Sequence, residues 1–218
     1  MRNRFDMQLQ ELDRQLTHMG ELCEIAIAKA TQALKEGNPD QARAVMSADE
    51  EIDQMEKDIE RMCLKLLLQQ QPVAKDLRRI SAALKMITDM ERIGDQTADI
   101  AEIVISSGNQ TPVDIKEIGT MAASVSKMVR DSVNAYVAKN LELAKNVMDA
   151  DDAVDHLFDT IRDELIAYIR AEKGENGKRI FDLIMVTKYL ERIGDHATNI
   201  AEWVEFSITG VHKNGSQI

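Results

Sequence analysis

Aromatic side chains are scarce in this chain: four phenylalanines, three tyrosines and one tryptophan among 218 residues. Any core must therefore be built from Leu, Ile, Val, Ala and Met, and the twelve methionines read as adaptable core filler rather than as copper ligands. Proline occurs three times, each time where helical patterning stops, and glycine ten times, so little interrupts long helices. Cysteine occurs twice, at Cys23 and Cys63, with no Cys-x-x-Cys spacing. If their helices run antiparallel through the turn near Asn38, the two thiols are offset by about ten residues, or ~15 Å of helical rise, too far for a disulfide. Two core thiols fit a reducing compartment. No stretch approaches the ~18 to 20 apolar residues of a membrane span, and the start lacks the apolar run of a secretory leader. The expectation is a cytoplasmic protein without membrane insertion. Positive charge is also short, with 27 Lys and Arg against 38 Asp and Glu. A net charge of −11 and a pI near 4.9 disfavour nucleic-acid phosphates and suit cations or basic protein surfaces.

What is present is a repeat. Glu91-Arg92-Ile93-Gly94-Asp95, followed by Ile100-Ala101-Glu102, returns as Glu191-Arg192-Ile193-Gly194-Asp195 and Ile200-Ala201-Glu202. Upstream, Asn38, Val45, Met46, Asp49 and Asp53 return as Asn140, Val147, Met148, Asp151 and Asp155. The chain is two copies of one unit, joined end to end, and the boundary falls at Ser106-Ser107-Gly108-Asn109-Gln110, giving domains 1–108 and 109–218. Helix ends are marked by Gly37-Asn38-Pro39-Asp40, Pro72, Thr111-Pro112-Val113-Asp114, Asn140 and Gly174-Glu175-Asn176-Gly177. These predict helices at roughly 4–36, 39–70, 73–106, 113–138, 141–172 and 178–208. Apolar stripes such as Val45, Ala48, Ile52, Met55, Ile59, Met62, Leu66 and Leu183, Val186, Leu190, Ile193, Ala197, Ile200, Val204 give each helix a core face. Short connections make neighbours antiparallel. The expected fold is all-α, a tandem repeat of two three-helix bundles.

The repeated acids fall into register on this frame. Asp53 and Glu91 are equidistant from Pro72, as are Asp49 and Asp95; Asp155 and Glu191 are equidistant from Lys173, as are Asp151 and Asp195. In an antiparallel pair, equidistant residues share a level, so each half carries Asp-x-x-x-Asp opposite Glu-x-x-x-Asp. At ~100° per residue these acids lie off the core stripe, all displaced in one rotational sense. They either converge on one groove or diverge; the sequence leaves both open. Convergence would place several carboxylates close together, a state that requires protonation or a bound cation. Gly94 and Gly194 each cost about 1 kcal/mol against alanine mid-helix, and leave room for an ion or a close helix. The candidate metal ligands are Asp49, Asp53, Glu91, Asp95, Asp151, Asp155, Glu191 and Asp195, hard oxygens suited to Mg²⁺, Mn²⁺, Ca²⁺ or iron. The plainer account makes each acid pair ordinary solvated helix surface; symmetry and matched levels favour the metal reading for the set. Asp99 extends the first ridge, but its counterpart is Asn199.

These motifs resemble the PhoU family of bacterial phosphate-uptake regulators, over essentially the whole chain. The resemblance implies that the acidic motif recurs twice in each of two three-helix bundles and binds iron or other divalent ions. Carried over by position, it occupies Asp49/Asp53, Glu91/Asp95, Asp151/Asp155 and Glu191/Asp195. It further implies a cytoplasmic homodimer, an adaptor between the ATPase subunit of a phosphate ABC transporter and a sensor histidine kinase, which restrains uptake and starvation signalling.

Enzyme chemistry has little footing. There is no Walker A loop, nucleophile elbow or zinc spacing, and none of His18, His156, His196 or His212 follows a Glu by three as a di-iron centre requires. His156 and His196 lie near acids, but read best as surface histidines. Lys75, Arg78, Arg79, Lys178 and Arg179, near the starts of the third and sixth helices, read as a solvated charged face, while Arg92 and Arg192 are expected to pair with neighbouring acids. The alternative to a regulatory adaptor is a structural helical scaffold whose acidic ridges are plain surface.

Overall fold

The computed structural model describes residues 2–70, 72–108, 116–171 and 176–212. They form six helices: α1 (Arg2–Glu36), α2 (Pro39–Gln70), α3 (Ala74–Ser107), α4 (Lys116–Ala138), α5 (Leu141–Ala171) and α6 (Gly177–Thr209). The predicted ends hold to within about three residues. The predicted cap at Thr111-Pro112-Val113-Asp114 and the Gly174-Glu175 part of the last break lie outside the described residues.

The turn chemistry explains the first boundary. Gly37 sits at φ 60°, the backbone N–H groups of Gly37 and Asn38 donate to the Leu34 and Ala33 carbonyls, and the Asn38 carboxamide oxygen then accepts from the amides of Asp40 and Gln41. One asparagine thus closes α1 and caps α2. The second half repeats the device. Lys139 and Asn140 donate to the Tyr136 and Ala135 carbonyls, and Asn140 caps α5 through the Leu143 amide. Here, however, the left-handed position is filled by Lys139, at φ 52°, in place of a glycine.

Within each half the three helices pack mutually, α1 with α2 and α3, and α4 with α5 and α6. The two bundles are not strung end to end in space. α3 packs along α6 and α1 against α4, so those four helices form a central layer with α2 and α5 on the outside. Buried residues of all six helices join one core: Leu12, Leu16 and Ile27 from α1, Ile52 and Ile59 from α2, Met86 and Ile93 from α3, Val129 from α4, Ile161 from α5, and Ile193 and Ile200 from α6. The predicted α6 stripe is buried throughout, whereas Ala48, Met55 and Met62 of the α2 stripe are only half-buried. That difference follows from position: α6 lies in the central layer and α2 on its flank. Cys23 and Cys63 are both buried and free, and burial pushes both thiol pKa values up.

Contacts fix the direction of α3 against α6. Lys85 lies over the Trp203 ring, Asp89 bonds Asn199, and Arg78 flanks Gly210. Counting inward by equal steps brings Gly94 level with Gly194, so the halves are related by a pseudo-two-fold running across the helices.

Candidate functional site

The repeated acids converge. Asp49 and Asp53 on α2 face α3, and Asp151 and Asp155 on α5 face α6, close enough for the carboxylates to perturb one another across each helix pair. Asp49, Asp53, Glu91, Asp95, Asp151 and Glu191 are half-buried, while Asp155 and Asp195 are exposed. The divergent arrangement left open by the sequence is excluded.

Burial and like charge push these groups toward the neutral form. Asp49 rises to about 6, first through desolvation and then through Asp53, Asp95 and Asp99. Asp151 also rises to about 6, through desolvation, Asp195 and Asp155. Glu91 is raised by desolvation and Asp95 against the opposing pull of Arg92. Asp195 is raised by partial desolvation and Glu191, opposed by Lys188. Two cations answer some of the charge. Arg92 reaches Asp95 at 2.9 Å and Glu91 at 3.4 Å, and Lys188 reaches Glu191 at 2.6 Å.

The glycines explain how the ridges come so near. A Cβ on Gly94 would lie 2.5 Å from Asp49 Oδ1 and 3.2 Å from Ile52 Cδ1. On Gly194 it would lie 3.3 Å from Val154 and 3.5 Å from Asp151 Oδ1. Glycine therefore lets α2 seat an aspartate directly on the α3 backbone, and does the same less tightly for α5 on α6. Asp49 Oδ1 is buried there without a hydrogen-bond partner.

The clusters are not equivalent. Asp99 is half-buried and couples to Asp49 and Asp95, and Glu56 is raised by desolvation, Glu60 and Asp53, so both enlarge the first cluster. The matching positions in the second half are Asn199 and Phe158, and Lys188 lies over the Phe158 ring at 5.3 Å. Asp99 was visible as a continuation of the i, i+4 ridge. Glu56 was missed, although three residues after Asp53 it lies on the same helix face.

The donor set suits an oxygen-loving cation: hard carboxylates, excess negative charge and an orphaned buried oxygen. Among the described residues, no three His, Cys, Asp or Glu side chains already stand together as a cage.

Three sequence expectations change. His196 is no surface group: its Nδ1 lies 2.9 Å from Asp89 Oδ1, and the same oxygen accepts from Asn199 at 3.2 Å, tying α6 to α3. Arg79 leaves the solvated face to pair with Asp13 on α1, both mostly buried, and its carbonyl accepts the Tyr136 hydroxyl of α4 at 2.8 Å. Arg92 pairs as expected, but Arg192 acts across the interface between the halves on Asp99.

Comparison with known proteins agrees with this architecture. The PhoU domain family model matches twice, at residues 16–104 and 118–204. A Clostridium acetobutylicum protein named phosphate-specific transport system accessory protein PhoU homolog is 38% identical over 208 residues, covering 94% of each chain. An Aquifex aeolicus protein of the same name is 39% identical over 186 residues, covering 85% of this chain and 84% of that one. The crystal structure of PhoU from Pseudomonas aeruginosa superposes with a TM-score of 0.88 at 33% identity, covering 95% of this chain and all of that one. Two matched domains, whole-length relatives and a shared six-helix architecture together establish that the chain belongs to the PhoU family.

Proposed function

We propose that this protein regulates phosphate transport as an adaptor, binding divalent or iron cations at its two carboxylate clusters. Family membership across the whole chain supports the regulatory role, since its relatives are named accessory proteins of phosphate-specific transport. The observation that carries the metal component is the buried, unpartnered Asp49 oxygen set against Gly94 within a cluster of raised carboxylates. Asp49, Asp53, Glu91 and Asp95 would hold the first ion, and Asp151, Asp155, Glu191 and Asp195 the second. A cation there would cancel the repulsion between α2 and α3 and between α5 and α6, fixing the outer helices against the central layer. Partners would then read the surface of the latched bundles. The partners in this reading are the ATPase subunit of a phosphate ABC transporter and a sensor histidine kinase, with the adaptor a cytoplasmic homodimer built from repeats 1–108 and 109–218.

The test is genetic and biochemical. Deleting the gene should switch on phosphate-starvation expression in phosphate-replete cells, wild type should restore repression, and a tagged wild-type chain should retain both partners. A folded Asp49→Ala and Glu91→Ala double variant should restore repression poorly and retain the partners poorly. Full function of that variant would favour the structural scaffold, with acids as plain surface.

A further inference from the structure

The α2/α3 hairpin ends in side chains that a water-facing surface does not call for. Leu68 is 83% exposed and Val73 58%, and both Leu64 and Leu77 are exposed. Leu64 and Leu68 are one turn apart on α2, and Val73, which caps α3, is one turn before Leu77, so the four lie within about two turns of one tip. Scattered exposed apolar residues need no account, but two i, i+4 pairs concentrated at one end of a hairpin do.

Charge at this tip runs against the rest of the molecule. Lys65 and Lys75 are exposed beside the leucines, and Arg78 lies half-buried one turn into α3. α1 runs parallel to α3, as the Asp13–Arg79 and Cys23–Met90 contacts together show, and brings the exposed Arg4 to the same end. Asp76 and Asp6 are the nearby unpaired acids, while Asp58 and Glu11 are already paired with Arg61 and Arg14. Glu60 lies two turns back, and the carboxylate cluster begins further along the groove, more than ~15 Å from Leu68 and beyond a Debye length of ~8 Å. A chain of net charge −11 thus presents an end that combines apolar side chains with excess positive charge.

We propose that the α2/α3 tip docks end-on to an anionic bilayer surface. Leu68 and Val73 would enter the boundary between headgroups and acyl chains, and Lys65, Lys75 and Arg4 would meet lipid phosphates. Apolar side chains together with lysine and arginine at one end are what such a surface binds, and the two contributions reinforce each other. An anionic bilayer attracts this end and repels the acidic flanks, so charge fixes the orientation. No described helix is long and apolar enough to cross a membrane, and the proposed contact inserts side chains only.

The test is co-sedimentation with vesicles of phosphatidylcholine alone or with half phosphatidylglycerol, using the full chain and two variants: Leu68→Ser with Val73→Ser, and Lys65→Glu with Lys75→Glu. Sedimentation velocity and circular dichroism accompany each. Wild type should bind the anionic vesicles and not the neutral ones, binding should weaken with salt, and each variant should lose more than about tenfold with unchanged helix content. Three results would overturn the proposal: no binding to anionic vesicles at low salt, binding that both folded variants retain, or a wild-type dimer that the serine variant dissociates. The last would make the tip a contact between two copies of the chain.

Discussion

Asp49 Oδ1 occupies the space that a Cβ on residue 94 would need, 2.5 Å away, so the glycine of the repeated motif and the first acid of its partner helix are one structural unit. Gly94→Ala gains about 1 kcal/mol of helix propensity but must displace a buried carboxylate and press on Ile52. The net expectation is a loss of about 1 kcal/mol. Gly194→Ala meets Val154 only at 3.3 Å and should fall within about 0.5 kcal/mol of neutral. Urea denaturation of the two variants in chelator measures the difference.

Stability should fall as pH rises from about 4 to 6. Asp49 and Asp151 titrate near 6 when folded and near 3.8 when unfolded, so the folded state binds more protons in that window. Both groups are protonated in both states below it and ionised in both above it, where the folded state carries the full cost. After allowance for solvent screening this is of order 1 kcal/mol each. Asp49→Asn and Asp151→Asn should therefore stabilise the metal-free protein at pH 7 and flatten its profile. Denaturant midpoints at pH 5 and pH 7 provide the check.

Lys139 holds a left-handed conformation that glycine occupies at the equivalent turn. Lys139→Gly should stabilise by about 0.5 to 1 kcal/mol, relief of the side-chain strain exceeding the added unfolded-state entropy. The reverse change, Gly37→Lys, should destabilise by a similar amount. Thermal unfolding followed by circular dichroism reads both.

The Arg79–Asp13 pair is 15% and 18% exposed, against 68% and 41% for Arg14–Glu11 on the surface. Arg79→Ala strands a mostly buried carboxylate and should cost about 2 to 3 kcal/mol, whereas Arg14→Ala should cost less than about 1 kcal/mol. Tyr136→Phe, which removes the hydroxyl bond to the Arg79 carbonyl, should cost about 1 kcal/mol. Chemical denaturation separates the three.

Much of this was legible in the sequence because the governing forces are local or periodic. Gly37 and Asn38 announce a turn through backbone chemistry, and antiparallel counting from Pro72 puts Asp49 level with Asp95. Side-by-side packing of the halves was not legible. It depends on which second face of α3 meets α6, and a stripe of small and apolar residues running most of the way round a central helix does not name its partner. The same limit hid His196, whose counterpart Gln96 is buried and whose bond to Asp89 crosses between repeats. Arg79 was misread because a basic residue near a helix start looks solvated until the helix beside it is known. Glu56 was passed over because the comparison between halves selected only repeated acids, and Phe158 stands in its place.

The central claim is that the carboxylate clusters hold cations, the first more tightly than the second because Glu56 and Asp99 add charge there. Elemental mass spectrometry on protein purified without chelator or affinity tag measures it directly, comparing wild type with Glu91→Ala/Asp95→Ala, with Glu191→Ala/Asp195→Ala and with all four changes. The account predicts stoichiometric divalent or iron metal in wild type, a larger loss from the first pair than from the second, and none in the folded quadruple variant. Wild type free of metal after incubation with Mg²⁺, Mn²⁺, Ca²⁺ or Fe²⁺, or a quadruple variant that keeps its metal, would contradict it.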